Sequence, residues 1–322
     1  MNKINIGIIG TSEIAFRRFL PALLKNDKFN YIGIASRNLK NTEKFINEYG
    51  GVGYSSYEQM IYGKNIDALY IPLPPALHYD WAKKALESGK HVFLEKPSTT
   101  KLKDTKDLLK IANEKKLALK ENYMFLKHKQ LHRIKDIIDS KEIGDLRLIR
   151  CSFGFPKRSS NDFRYDKKLG GGALLDCGGY PIRLMLELLG ENLKIDTSKL
   201  YYIDEFDVEL YGDVTLSNNN VTAQISFGMD NEYKCELELW GNKGYLKAPR
   251  IFTAPPEYNV TFDIIKQGKA EIIDVGSDDQ FYNSINHFYN CINNDKVRND
   301  EYLYLERQSN LVEIVYKMER LS

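Results

Sequence analysis

The chain has 322 residues, enough for two domains and for a core that needs no cross-links. Lys and Arg total 46 against 44 Asp and Glu, a formal net charge of +2, whereas nucleic-acid or membrane-surface binding would favour a basic excess. The 4 cysteines are far apart and form no CxxC pair, which excludes a disulfide framework and a zinc motif.

No targeting or metal-binding segment is predicted. The apolar run after Lys3 is too short for a signal peptide, and no window approaches the ~20 apolar residues of a membrane span. We therefore expect a cytoplasmic protein with no membrane partner. His128 and His132 stand at i, i+4 on a predicted helix but lack a third ligand, so we expect a solvated helix face and no metal.

The first 122 residues alternate short apolar runs with helical patterns, as βαβ units of a doubly wound parallel sheet do. Pro21 lies inside the first predicted helix and should kink it. The predicted elements are a strand Asn5–Ile9, a helix Ile14–Leu24, a strand Tyr31–Ala35, a helix Thr42–Tyr49, a strand Ala68–Ile71, a helix Tyr79–Ser88, a strand His91–Leu94, a helix Lys103–Lys115 and a strand Leu117–Lys120.

The pattern changes after about Asn122. A helix Lys127–Ile138 and a strand Arg147–Phe155 precede a glycine-rich segment, strands fill most of Leu200–Ile273, and helices Asp278–Asn293 and Asp300–Arg320 close the chain. We predict a Rossmann-type α/β domain over 1–122. An α+β domain with a large, mostly antiparallel open sheet should occupy 123–322. One face of that sheet lacks helices to cover it, which favours a homo-oligomer, a dimer or a tetramer, formed through the sheet.

A glycine-containing turn follows the first strand. Gly10 begins the degraded dinucleotide fingerprint Gly10-Thr-Ser12-Glu-Ile14-Ala15, in which Ser12 and Ala15 replace two glycines. Small residues still allow the backbone to approach a pyrophosphate at the start of the next helix. The sequence therefore predicts a dinucleotide site here.

The end of the second strand predicts which dinucleotide is bound. NAD enzymes usually carry an acidic residue there for the ribose 2′-hydroxyl, whereas this chain has Ser36 and Arg37. A guanidinium can form paired hydrogen bonds with a 2′-phosphate, and a hydroxyl can donate to it as well. We therefore predict NADP(H).

Two further motifs carry candidate chemistry. Glu95-Lys96-Pro97 follows a strand at the carboxyl edge of the sheet, where Lys96 would be a competent general acid or base. Gly170-Gly-Gly-Ala-Leu-Leu-Asp176-Cys-Gly-Gly-Tyr180 combines poor helix formers with polar side chains on one helix face. Such a conflict between local preference and position is expected at functional sites.

Together with Pro72-Leu73-Pro-Pro-Ala-Leu-His78, these motifs resemble the glucose–fructose oxidoreductase/inositol dehydrogenase/MocA family over the whole chain. The match includes Gly241-Asn-Lys-Gly-Tyr-Leu-Lys-Ala-Pro249 in the second domain. The closest resemblance is to the nucleotide-sugar 3-ketoreductases, carried by Glu121-Asn-Tyr-Met-Phe-Leu-Lys-His128 and Phe163-Arg164-Tyr165. This chain has Tyr180 where many members carry histidine, which argues against a histidine mechanism.

The resemblance implies roles for individual residues. Lys96, Asp176 and Tyr180 would be catalytic, and the peptide bond from Lys96 to Pro97 is expected to be cis. The cofactor would contact the turn and second-strand residues named above together with Leu73, His78, Glu95, Lys96, Arg164 and Asp176. The sugar or nucleotide-sugar substrate would meet Lys96, Tyr180, Tyr233 and Tyr258.

The implied reaction passes a hydride between NADP(H) and a carbonyl carbon of the sugar. Lys96 would donate a proton to the carbonyl oxygen, and Tyr180 would hydrogen-bond that oxygen or act as an alternative donor. Asp176 would hold Lys96 or a substrate hydroxyl. Two alternatives stay open: an aldose or trans-dihydrodiol dehydrogenase, and an NADP-binding regulator without chemistry.

Overall fold

The computed structural model describes residues 3–319, which divide into two compact units. One unit contains the chain up to Asn122 together with Phe281–Ser309, and the other contains Tyr123–Gln280 and the segment from Asn310 onward. Asn122 is also the last residue of the Rossmann-type domain that the sequence predicts. The assignment of everything from 123 to 322 to the second domain differs from the structure, because 281–309 belong to the first unit.

Short apolar runs form the strands of the first unit, and amphipathic segments form its helices. In chain order these are β1 (Ile4–Ile9), α1 (Leu20–Leu24), β2 (Phe29–Ala35), α2 (Lys40–Tyr49), β3 (Val52–Tyr54), α3 (Tyr57–Ile61), β4 (Ala68–Ile71), α4 (His78–Glu87), β5 (His91–Leu94), α5 (Leu102–Glu114) and β6 (Leu119–Glu121). Among the described residues they build a six-stranded parallel sheet in the order β3-β2-β1-β4-β5-β6. The order changes direction between β1 and β4, and open α/β sheets bind ligands at such a switch point.

Two local features of this unit depart from a simple reading of the sequence. A π-helical turn, Ala15–Phe19, precedes α1. Pro21 has no N–H to donate to a regular helical hydrogen bond, and the π-helical turn lies just before it, in the region where the sequence predicted a kink. The strand β3 and the helix α3 were not predicted, because three edge residues and one helical turn leave little periodicity to detect.

The second unit is built around a sheet of alternating strands. Its elements in chain order are α6 (Lys129–Asp139), β7 (Leu146–Gly154), α7 (Gly179–Leu189), β8 (Lys194–Tyr202), β9 (Glu209–Ser217), β10 (Thr222–Gly228), β11 (Lys234–Gly241), β12 (Gly244–Ala248), β13 (Val260–Lys266) and β14 (Lys269–Gly276). Over the described range the sheet has eight strands in the order β14-β13-β12-β11-β7-β10-β9-β8. Its strands pair antiparallel except for β7 with β10, which confirms the predicted mostly antiparallel sheet.

Two helices close the chain, α8 (Gln280–Asn293) and α9 (Asp295–Glu319). Phe288 packs against Phe29 and Phe93, and Tyr302 and Leu305 join the buried cluster of the first unit. This aromatic and aliphatic packing is why 281–309 return to the parallel sheet. Arg320, the predicted end of the last helix, lies outside the described residues. Within residues 3–319, no helix combines the length and apolar character needed to cross a membrane.

Candidate active site

The turn after β1 lies at the switch point of the parallel sheet. Gly10 has φ +106°, and a Cβ there would lie 2.5 Å from Leu73 Cδ2, so only glycine fits. The Gly10 N–H donates to the Ala35 carbonyl at 2.9 Å. Ser12 Oγ accepts from the Ala15 N–H at 3.2 Å and so satisfies one donor at the start of the following helical segment. The turn thus joins the carboxyl ends of β1, β2 and the segment after β4.

Ser36 and Arg37 follow β2 directly. Ser36 is buried and its Oγ accepts from the Asn38 N–H at 3.3 Å, whereas Arg37 is exposed. The Arg37 guanidinium hydrogen-bonds the Tyr57 hydroxyl; burial raises the pKa of Tyr57, and Arg37 partly opposes that effect. Tyr57 is therefore a candidate that sequence reasoning missed, because it lies on the unpredicted α3.

The residues present fit NADP(H). Gly10 allows a close backbone approach, and Ile14 and Ala15 begin the helical segment behind the turn, where an anion is favoured. The residues after β2 offer a hydroxyl and a guanidinium, which suit a 2′-phosphate better than a ribose hydroxyl.

His78 connects two loops at the same sheet edge. It is fully buried, with Nδ1 2.8 Å from the Pro97 carbonyl oxygen and Nε2 2.7 Å from the Leu73 carbonyl oxygen. Burial is the main reason that its pKa falls to about 4; the charge of Lys96 acts in the same direction, and the hydrogen bonds to the two carbonyls oppose both. A neutral ring has one N–H, so it donates to one carbonyl at a time. His78 thus ties the loop after β4 to the loop after β5.

Glu95 and Lys96 follow β5. Glu95 Oε1 accepts from the Tyr70 hydroxyl at 2.6 Å and from Asn122 Nδ2 at 2.7 Å, and its carboxyl also accepts the Lys96 backbone N–H. Burial raises the pKa of Glu95, while these hydrogen bonds and the Lys96 charge lower it. The Lys96–Pro97 peptide is cis, as expected. The hydrogen bonds of Glu95 to Tyr70, Asn122 and the Lys96 N–H hold the backbone from which the Lys96 side chain starts.

In the second unit, Asp176 lies in a π-helical turn, Leu174–Gly178, before α7. Its Oδ2 accepts from Arg164 Nε at 2.7 Å, and Arg164 Nη1 also donates to Asp162 at 3.1 Å. Only 20% of the Arg164 side chain and 11% of Asp176 are exposed, so the pair is well shielded from water. Asp176 and Arg164, both candidates from the sequence, are thus brought together.

The glycine run before Asp176 packs against the buried carboxylate of Glu209. Glu209 Oε1 accepts from the Leu174 N–H and the Tyr316 hydroxyl, each at 3.0 Å. Burial raises the pKa of Glu209, and these bonds oppose it. Gly172 has φ +120°, and a Cβ there would lie 2.5 Å from the same oxygen. A side chain at this position would displace the turn that carries Asp176.

Tyr180 lies near the start of α7 and is 7% exposed. Its ring is surrounded by other aromatic rings, with centroids 5.0–5.8 Å away: Tyr123, Phe125, Phe153 and Phe252. Edge-to-face and tilted contacts of this kind hold a ring in one orientation. The phenol is therefore held by the second unit itself.

Tyr233 and Tyr258 share a neighbour that sequence reasoning missed. The Arg250 guanidinium lies 5.8 Å from the Tyr233 ring centroid and 5.1 Å from that of Tyr258. Gln130 Nε2 donates to the Arg250 and Ile251 carbonyls, which fixes this segment. Arg250 Nε is buried and has no hydrogen-bond partner among the described residues. A basic residue near two candidate tyrosines was the signal available in the sequence.

The histidine predictions need one correction. His128 is buried and stands before α6, where Nδ1 accepts from the Gln130 N–H at 3.1 Å; only His132 is exposed. The expected solvated face is therefore wrong for His128, which caps the helix.

His287, Cys291 and Glu301 place possible ligand atoms within 4.8 Å of one another.

Comparisons with known proteins match both units. A model described as an oxidoreductase family with an NAD-binding Rossmann fold matches residues 4–123, and a GFO/IDH/MocA C-terminal domain model matches residues 131–247. A dTDP-3,4-didehydro-2,6-dideoxy-alpha-D-glucose 3-reductase from Actinomadura kijaniata is 38% identical over 292 residues, covering 90% of this chain and 88% of that protein. The enzyme of the same name from Streptomyces antibioticus is 33% identical over 321 residues, covering 99% of this chain and 98% of the relative.

A solved structure extends the likeness to the fold. A 3-ketoreductase from Actinomadura kijaniata, in complex with NADP and TDP-benzene, superposes with a TM-score of 0.95 at 36% identity over 98% of both chains. Variants of that enzyme in the same complex, one with a tyrosine changed to phenylalanine and one with a lysine changed to alanine, have TM-scores of 0.95 and 0.92.

Proposed function

Because the chain belongs to the glucose–fructose oxidoreductase/inositol dehydrogenase/MocA family of oxidoreductases, we propose that it reduces the 3-keto group of a nucleotide-linked deoxysugar with NADPH. The observation that carries this proposal is the likeness to sugar 3-reductases over nine tenths of the chain. When bound, NADPH supplies the hydride that converts the ketone to an alcohol.

We propose that the turn at Gly10 holds the cofactor pyrophosphate and that Ser36 and Arg37 hold the 2′-phosphate. The support is the glycine-only geometry of the turn and the exposed guanidinium at the end of β2. Leu73 and His78, beside the same turn, would complete the cofactor site, together with Glu95 and the Arg164–Asp176 pair.

We propose Lys96 as the proton donor to the substrate oxygen and Tyr180 as a second donor to that oxygen. The lysine and the tyrosine that are changed in the solved variants of the relative are separated by the same number of residues as Lys96 and Tyr180. Asp176, already paired with Arg164, would orient a substrate hydroxyl or the lysine.

The proposal assigns the substrate's diphosphate to Arg250. Arg250 is only partly buried, so its guanidinium can meet a ligand, although its Nε is shielded and lacks an acceptor among residues 3–319. A diphosphate oxygen would accept charge-assisted hydrogen bonds from the guanidinium. Tyr233 and Tyr258, on either side, offer ring faces and hydroxyls to the sugar or the base.

The test is NADPH oxidation, followed by loss of reduced-nicotinamide absorbance, with a TDP-linked 3-keto-deoxysugar as substrate. We expect turnover with this substrate and little with a free aldose. Lys96→Ala should lower kcat by about 10²–10⁴-fold while NADPH still binds. Lys101→Ala, a nearby exposed lysine, is the matched control. Oxidation of free sugars by NADP⁺ without nucleotide-sugar reduction would overturn the proposal.

We also propose a cytoplasmic homodimer or tetramer formed through the sheet of the second unit. Its strands carry large exposed aromatic side chains, 39–52% accessible, which a partner would cover: Tyr201, Tyr202, Tyr211 and Trp240. Light scattering of Trp240→Glu against wild type tests this, because a charge on a buried contact should dissociate the oligomer. An unchanged mass would count against this surface.

A further inference from the structure

A hydrogen-bond chain inside the first unit connects a buried ammonium group with Glu95. Lys120, on β6, is 2% exposed, and its Nζ donates to Ser284 Oγ at 2.9 Å. Ser284 Oγ donates to Asn122 Oδ1 at 2.8 Å, and Asn122 Nδ2 donates to Glu95 Oε1 at 2.7 Å. We call these four residues the Lys120 chain. None of its three bonds is longer than an ordinary hydrogen bond.

The bonds of the Lys120 chain all run in one direction. Each donor faces Glu95, so the positive end polarises the hydroxyl and the amide toward the carboxylate. In a buried setting such aligned bonds strengthen one another, and the charge of Lys120 is felt at Glu95 more strongly than through water. The chain therefore favours the ionised form of the carboxylate.

The second member of the Lys120 chain comes from a distant part of the sequence. Ser284 lies on α8, 164 positions after Lys120. The return of 281–309 to the first unit thus places a hydroxyl between Lys120 and Asn122, in addition to burying apolar side chains.

Other titratable groups surround the chain. The Tyr70 hydroxyl on β4 donates to Glu95, Glu121 Oε1 on β6 accepts from the Ser98 N–H at 2.7 Å, and Lys96 and His78 lie at the β5 end. Tyr70 and Lys96 act in the same direction as Lys120, since both favour a charged Glu95. The carboxylate in turn accepts the Lys96 backbone N–H and so holds the residue proposed as proton donor.

We propose that Lys120 is a positioning residue for Lys96, acting through the hydrogen-bond chain that ends on Glu95. The inference rests on the proposed function only in giving Lys96 the proton-donor role. Loss of the Lys120 charge or of the Ser284 hydroxyl lets Glu95 take up a proton at higher pH. A neutral Glu95 accepts the Lys96 N–H more weakly, so the lysine is less well placed.

Lys120→Met and Ser284→Ala test the proposal. In folded variants we expect kcat to fall about 10- to 100-fold with little change in the Kd for NADPH. The acid limb of the kcat–pH profile should move up by about one pH unit, because Glu95 protonates more easily. Ser284→Thr keeps the hydroxyl and should therefore retain most of the wild-type kcat and a nearly wild-type pH profile. Lys90→Met is the matched control, since this partly buried lysine donates to the Gly63 and Ile66 carbonyls.

A second readout needs no substrate. Acetylation of Lys96 by acetic anhydride, quantified by mass spectrometry against pH, reports the position and charge state of its amine. We expect altered Lys96 labelling in Lys120→Met and Ser284→Ala but not in Lys90→Met. If wild type lacks ketoreductase activity but labelling changes as expected, the proposed function fails and the positioning role stands. Unchanged labelling, or a lower kcat with an unmoved pH profile, would overturn the positioning role.

Discussion

Removing the Arg37 guanidinium should change which cofactor is preferred. A hydrogen bond between charged groups contributes about 1.5–3 kcal/mol, and the exposed position of Arg37 favours the lower part of that range, about 1.5–2 kcal/mol. Arg37→Ala should therefore raise the Kd for NADPH about 10- to 30-fold. The Kd for NADH, which lacks the 2′-phosphate, should change little. Titration of nicotinamide fluorescence measures both constants.

Two companion variants sharpen this experiment. Arg147→Ala removes an exposed arginine from β7 and should leave both constants unchanged. Tyr57→Phe keeps the guanidinium but removes the hydroxyl it contacts, and we expect a smaller NADPH loss of about 2- to 10-fold. A ratio of NADPH to NADH affinity that is the same in Arg37→Ala and wild type would refute the assignment of the 2′-phosphate to Arg37.

Three further predictions concern the remaining site residues and stability. The double variant Lys96→Ala/Tyr180→Phe should have a kcat only a little below that of Lys96→Ala alone, because two groups that serve the same oxygen give non-additive losses. If the loss in the double variant equals the product of the two single losses, the residues act independently and do not share that oxygen. Arg250→Gln should raise the Kd for TDP, measured by calorimetry, about 10-fold or more, while the Kd for NADPH stays the same. The control variant Arg150→Gln should bind TDP as wild type does. A TDP affinity of Arg250→Gln equal to that of wild type would contradict the diphosphate assignment. Burial is the main reason that the pKa of His91 falls to about 4 from its usual 6.5, so the protein should lose stability as the pH falls through that interval. Denaturant unfolding should show that His91→Gln loses less free energy of unfolding than wild type between neutral pH and about pH 5.

Two strands of the parallel sheet, β4 and β5, have the predicted bounds, because each is a buried apolar run followed by a proline within three residues. The central strand β1 begins one residue before the predicted bound. The edge strand β3 carries no such signal. The return of α8 to the first unit was not predictable either, since periodicity shows that a helix has an apolar face and not which sheet the face covers.

The candidate site divides in the same way. Gly10, Arg37 and Lys96 were visible because each follows a recognisable strand, and the carboxyl ends of parallel strands share one edge. Tyr57 contacts Arg37 from a different element, and no local pattern connects the two. Arg250 lies nearer to Tyr258 in the sequence, but no motif there distinguishes it from other basic residues. Ser284 is the extreme case, since a serine in an amphipathic helix looks like any other polar position.

The burial of the charged Lys120 side chain is better explained by its proposed functional role than by folding stability alone. Taking an ammonium and a carboxylate out of water costs several kcal/mol per ion, and well-packed apolar residues of similar size are often as stabilising or more. Lys120 also contributes to the fold, because its Nζ donates to the Glu121 carbonyl at 3.1 Å and lies 4.5 Å from the Phe93 ring centroid. A requirement for a charged Glu95 beside Lys96 gives a further reason for the buried ammonium, because a buried carboxylate is favoured by a positive charge that water cannot screen. Lys120→Met alone leaves the Glu95 carboxylate buried without this charge and should lower both kcat and stability, whereas replacing both groups by apolar residues of similar size should lower kcat at little cost in stability.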